Sequence, residues 1–167
     1  MYPIKCEDWN AYRNCALDLG LNAAVLAISR RLFPAGFDVA DNAPQTYEGL
    51  LMHLDAGNRM VVFSGGSEHT IFGDREVNYA FRAWHDWCHW RGRFDLSHQG
   101  ERGVCAMQEQ HLVTLYGDCA RTEEWRRILR AEIIGQRDHF DVHGRFPDDQ
   151  RAFVENYLAN KMLQAAE

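Results

Sequence analysis

The sequence predicts a mainly α fold, an antiparallel helical bundle with one small β-hairpin at about residues 60–72, in a single domain of 167 residues. Three observations predict it. Apolar residues recur at three- and four-residue intervals over most of the chain. Glycine or proline follows most of these runs, where a helix stops. Only one stretch has the texture of short strands around a turn.

Leu17, Leu21, Ala24, Val25, Ile28 and Leu32 mark one face of a helix from about Asp8 to Phe33, with Gly20 as a kink point and Pro34 as its end. Residues 35–45 read as loop, with Gly36, Asn42 and Pro44. A short helix covers Thr46 to Ala56 and stops at Gly57. Met60-Val61-Val62-Phe63 and His69-Thr70-Ile71-Phe72 flank Ser64-Gly65-Gly66-Ser67-Glu68, which reads as the hairpin. Asp74 caps a helix ending near Arg91, and a second runs from about Gln99 to Tyr116, stopped by Gly117. Thr122, Glu123 and Glu124 start a third, which ends before Gly144. Pro147-Asp148-Asp149 opens a last helix through Phe153, Val154, Tyr157 and Leu158. The short links at 92–98 and 117–121 favour antiparallel neighbours.

Composition narrows the function. Hydrophobic residues make up 46% of the chain, enough to fill a core, and Phe, Trp and Tyr at 12% make much of that core aromatic. A net charge of -6 disfavours nucleic acid as a partner, because neutralising phosphates needs a basic face. No apolar run has membrane-spanning length, and Met1-Tyr2-Pro3-Ile4-Lys5-Cys6 lacks the pattern of a secretory signal. Five scattered cysteines without a C-x-x-C pair fit thiols in a reducing cytoplasm. There is no nucleophile elbow or dinucleotide fingerprint. The expected partner is a small-molecule or peptide substrate, and a homo-oligomer is compatible with the sequence.

His85-Asp86-Trp87-Cys88-His89 followed by Gly100-Glu101 carries the chemical information. Histidines four apart on a helix share one face, the spacing at which two imidazoles grip one metal ion. His89 falls near the end of its helix and Glu101 near the start of the next, so a helical hairpin brings them level. Folding the third helix back places His139 near them and Glu132 one to two turns away. The expected ligands are therefore His85, His89, Glu101 and His139. The cofactor is a divalent ion, zinc first and iron as the alternative. Asp86 and Glu132 are the candidate proton carriers beside a metal-activated water. Glu132 stands out because Trp125, Ile128, Leu129 and Ile133 surround it in sequence, and a carboxylate buried there needs a partner.

Plainer readings stand beside these. His85 and His89 also suit core histidines, Glu101 a helix dipole and Glu132 an ion pair with an arginine such as Arg82. Cys88 reads as a buried thiol or a soft ligand. Arg121, Arg126, Arg127 and Arg130 read as a solvated face.

His85-Asp86-x-x-His89 with a later Glu101 resembles the zincin pattern H-E-x-x-H followed by a distant Glu. That resemblance implies zinc on His85, His89 and Glu101, with Asp86 where the general base stands, and covers about 17 residues. His53, His85-Asp86 and Asp138 resemble the ligand order of HD-type metal phosphohydrolases, which are helical. Asp86-x-x-His89 resembles the E-x-x-H element of ferritin-like di-iron oxidases, with Glu101, Glu109, Glu132 and His139 completing a carboxylate-rich site. Phe81–Trp87 and His143–Gln150 are similar to small phage-encoded proteins. The sequence thus points to a metal-dependent hydrolase with a His/His/Glu site. The rivals are a di-iron oxidase and a non-enzymatic helical interaction protein or assembly subunit.

Overall fold

Residues 15–165 are described by a computed structural model, which is predominantly helical with one two-stranded parallel sheet. In chain order come helix α1 (Leu19–Leu32), strand β1 (Asp38–Ala40), helix α2 (Tyr47–Asp55), strand β2 (Val61–Phe63), helix α3 (Arg75–Gly92) and helix α4 (His98–Tyr116). Helix α5 (Ala120–Arg130) runs into a π-helical turn (Ala131–Gly135), then α6 (Gln136–His143) and α7 (Gln150–Ala165).

Local chemistry sets these limits. Asp18, Thr46, Asp74 and Ser97 each stand just before a helix, and each side chain accepts a backbone N–H of the first turn. The expected start of α1 near Asp8 lies outside the described residues. Within them the helix begins only at Leu19, because Asp18 caps it by accepting from the Leu21 N–H at 2.8 Å. Gly20 therefore sits in the first turn and is not a mid-helix kink.

The expected hairpin is replaced by a different pairing. β2 pairs in parallel with β1, matching Asp38 to Val61, Val39 to Val62 and Ala40 to Phe63, with α2 as the crossover. Residues 69–72 form no strand, and other elements satisfy their backbone. The Leu17 N–H donates to the Ile71 carbonyl at 2.7 Å and the Arg151 N–H to the His69 carbonyl at 3.1 Å. Ile71 and Phe72 are buried in the main core, which outweighs their β propensity. β1 lies inside the expected 35–45 loop, where Gly36, Asn42 and Pro44 conceal a three-residue strand.

Helix α3 packs between α1 and α4 and also touches α2 and β2. Trp84, Cys88, Val104, Leu112, Leu129 and Val154 are fully buried in the main cluster, joining α3, α4, α5 and α7. A smaller cluster of Met60, Val62, Tyr79 and Ala83 fastens β2 to α3. The expected third helix is divided by the π turn at residues 131–135, a feature that often accompanies functional sites. Gly135 in that turn lets α7 approach, since a Cβ there would meet the Tyr157 ring at 3.1 Å. Among the described residues no helix is long and apolar enough to cross a membrane.

Candidate metal centre

Three contacts between α3 and α4 run in opposite chain directions: Trp84 to His111, His85 to Gln108, and His89 to Glu101. They lay the C-terminal half of α3 along α4 from Glu101 to His111. The link between the helices is tight. α3 ends on Arg93, a left-handed residue (φ 54°, ψ 37°), and the chain turns so that the Phe94 N–H donates to the His89 carbonyl at 3.0 Å. The Arg93 guanidinium and the Trp90 indole N–H both bind the Asp55 carboxylate on α2, which pins this turn. On the far side, Gly100 allows the turn to lie against α4. A Cβ there would fall 1.9 Å from the Asp95 carbonyl oxygen.

His85, His89 and Glu101 converge, with one ligand atom from each lying within 4.8 Å of the others. The Nε2 atoms of His85 and His89 are 3.0 Å apart. Glu101 places Oε2 at 3.2 Å from His85 Nε2 and Oε1 at 3.5 Å from His89 Nε2. His89 is 1% exposed, so this is no surface cluster.

The distal nitrogens are held as well. His89 donates Nδ1–H to the Phe94 carbonyl at 2.9 Å, since a carbonyl can only accept. His85 Nδ1 faces the Oε1 of the buried Gln108 at 3.2 Å. With both Nδ1 atoms protonated, neutral rings turn Nε2 lone pairs toward each other and toward a carboxylate. Three acceptors facing one point repel unless a cation lies between them. A proton or a metal ion meets that need. Edges of 3.0, 3.2 and 3.5 Å match a tetrahedral site, where metal–ligand bonds of about 2.1 Å put ligands about 3.4 Å apart.

Electrostatics reflect the same packing. Burial alone would lower the His85 imidazole, but the charge of Glu101 and hydrogen bonding to it push His85 up to about 9. Burial would raise Glu101, but the charge of His85 and close contact with both imidazoles hold it well below the usual carboxylate range.

A pocket of about 230 Å³ opens beside the triad, with His85 and Glu101 in its wall. Glu132 lines it from the π turn and is 7% exposed. Burial pushes Glu132 up to about 7, against the opposing influence of Gln136, His85 and Arg82. Its Oε2 is buried without a close hydrogen-bond partner, and among the described residues Glu132 makes no ion pair with an arginine. Asp86 is half-buried one residue from His85. Burial holds its carboxyl above the ordinary range, opposed by His85, His89 and Arg82.

Other expected groups lie elsewhere. His139 stacks on His143 with ring centres 4.2 Å apart and meets the Phe153 ring edge-on, outside the triad. The back-folding that was to deliver it is altered by the π turn and by α7, which packs against that turn. His53 spends Nε2 on the Arg59 carbonyl at 2.8 Å, and Asp138 pairs with His98 at 2.7 Å. The HD-type order of residues is therefore not assembled in space. Glu109 is claimed by Arg126 and Arg130, at 3.0 and 2.6 Å. That network ties α4 to α5, and Arg121 reaches the α1 cap Asp18 at 3.4 Å, so three of the four arginines of the expected solvated face bridge elements. Cys88 is fully buried, burial pushes its thiol up, and it lies outside the triad.

Sequence reasoning missed Gln108, Gln136 and Arg137. Gln108 lies seven residues after Glu101, two turns along the same face of α4, which was the available signal. Gln136 had only its spacing of four from Glu132, and Arg137 carried no signal, because the π turn resets the face on which it emerges. No protein-family model, curated protein or solved structure matches the chain.

Proposed function

We propose that the chain is a single-ion, metal-dependent hydrolase in which His85, His89 and Glu101 hold a divalent cation, zinc before iron. One observation carries this reading: three acceptor atoms converge at 3.0–3.5 Å while both imidazole tautomers are set from behind. Metal-binding histidines are oriented in this way by acceptors on their second nitrogen.

Two imidazoles and one carboxylate leave a coordination position free, and a divalent ion there supplies Lewis acidity and brings a bound water's pKa to about 7. The chain's own groups do the remainder. Phe94 and Gln108 keep the lone pairs of His89 and His85 aimed inward. Glu132, with a carboxyl near 7 in the pocket wall, takes and returns a proton at neutral pH. Asp86 holds the position of the zincin general base in sequence. Glu132 is the better-placed proton carrier, because it lines the pocket and Asp86 does not. A di-iron arrangement is less well supported, since Glu109 is committed to two arginines.

The test is metal titration of the purified full chain, then assay of the loaded protein on p-nitrophenyl ester and phosphoester panels. The expected result is one zinc per chain, lost in His89→Ala and Glu101→Ala, with turnover that Glu132→Gln lowers. Failure of zinc and ferrous iron to bind at pH 8 would remove the reading.

A further inference from the structure

The pocket beside the triad holds polar groups that the fold leaves unsatisfied. Gln136 is 5% exposed; its Nε2 is buried without a close acceptor, and its amide faces the Glu132 carboxyl, whose ionisation it favours. The Nε of Arg137 is likewise buried and unpartnered, while its NH1 and NH2 bind the Leu96 carbonyl and Asp141. Both residues line the pocket with Glu132. Buried donors left without acceptors cost on the order of 1–3 kcal/mol each, so such a cluster calls for a ligand or ordered water.

Arg82, in the same wall, adds charge. Its NH1 donates to the carbonyls of Phe63 and Gly65, and its NH2 to that of Gly66 at 2.9 Å. These are neutral acceptors. No carboxylate lies within ion-pair distance of Arg82 among the described residues, and Asp86, Glu132 and Glu68 act on its charge only from farther off.

We propose that this pocket recognises a small molecule through a carboxylate or phosphate group, held by Gln136, Arg137 and the charge of Arg82. Guanidinium and amide N–H groups are the donors that oxyanions prefer. The volume of about 230 Å³ suits a small metabolite and not a folded partner. Phe81, Ile133 and Phe146 form the apolar part of the wall and face the ligand's carbon skeleton. Glu132 is left free to handle a proton. This inference deepens the hydrolase reading and rests on it for the chemistry done on the bound molecule, although anion capture itself needs no metal.

The test is calorimetric titration of the metal-free full chain at pH 7 with succinate, inorganic phosphate and uncharged succinamide. The expected result is saturable binding of succinate or phosphate and none of succinamide, and the better anion identifies the group. Arg137→Gln and Gln136→Leu, each checked for an unchanged circular dichroism spectrum, should weaken that binding at least tenfold. Arg145→Gln, an exposed residue outside the pocket, should leave it unchanged. Absence of anion binding, or undiminished binding by both pocket variants, overturns the proposal. A parallel zinc titration separates the two ideas. Zinc bound without any anion sinks only the anion site, and anion bound without zinc sinks only the metal site.

Discussion

His89 donates its Nδ1 hydrogen to the Phe94 carbonyl, five residues on, at 2.9 Å. The same turn closes helix α3, because the Phe94 N–H returns to the His89 carbonyl at 3.0 Å. Helix termination and imidazole orientation are thus one structural event. A buried ring that spends Nδ1–H in this way must present a lone pair on Nε2 when neutral, and that atom faces His85 and Glu101. Mutations in the turn should therefore act on metal affinity without touching a ligand.

Gly100→Ala is the sharpest case. Its new methyl would overlap the Asp95 carbonyl oxygen at 1.9 Å, and backbone cannot swing aside as a flexible side chain can. The 94–97 turn or the first turn of α4 must shift, and Glu101 shifts with it. The expected outcome is a loss of about 1–3 kcal/mol in denaturant unfolding. Zinc affinity should fall at least tenfold by competition with a chromogenic chelator. Unchanged affinity would show that Glu101 does not depend on this close approach.

Legibility in the sequence tracked the range of the interactions. His85, His89 and Glu101 were readable because a four-residue spacing and a short helical link are local geometry. Glu132 was readable as a carboxylate out of place in an apolar run. The predominantly helical character was readable from periodicity and caps such as Asp74 and Ser97. The parallel pairing of Asp38–Ala40 with Val61–Phe63 was not, because it joins strands about twenty residues apart across a helix. The position of His139 outside the triad was not legible either, because it follows the π turn, where one wider turn rotates everything after it.

Gln108→Leu separates metal affinity from stability. The substitution removes the oxygen that faces His85 Nδ1 and also a buried amide nitrogen that has no partner. Loss of the acceptor behind a metal-binding imidazole typically costs about 10–100-fold in metal affinity. Removal of an unsatisfied buried polar group is neutral or stabilising. The expected variant binds zinc at least tenfold more weakly, while its metal-free melting point changes little, because loss of the unpartnered amide nitrogen offsets the His85 Nδ1–H left without its acceptor. A lower melting point with intact affinity would make Gln108 a structural residue only.

Metal binding should release protons. In the metal-free protein His85 titrates near 9, raised from an ordinary 6.5 mainly by Glu101 against the opposing effect of burial. The stabilisation this represents is complete below about pH 6.5 and is lost as pH rises through about 9. At neutral pH a metal must displace that proton. Affinity should climb close to tenfold per pH unit up to about 9 and then level. Calorimetry at pH 7 in buffers of different ionisation enthalpy should return about one proton per ion from this group. Zero release would mean that His85 is not a ligand.

Glu132 should reveal its cost to the fold through pH. Its carboxyl stands near 7 in the folded chain, against an ordinary 4.5, because burial without a partner for Oε2 disfavours the anion. The folded state therefore binds the proton more tightly than the unfolded one. Stability must fall as pH rises from about 4.5 to about 7, and then stay level with respect to this group. Glutamine keeps the shape and cannot ionise. Metal-free Glu132→Gln should match wild type near pH 4 and exceed it by about 2–3 kcal/mol at pH 8 in urea unfolding. On the proposed hydrolase reading this proton is the one moved, so the same variant, loaded with zinc, should lose most of any turnover the wild type shows. Equal stability at both pH values would mean that water or a neighbouring group already satisfies the carboxylate, and the assignment of Glu132 as proton carrier would lose its physical basis.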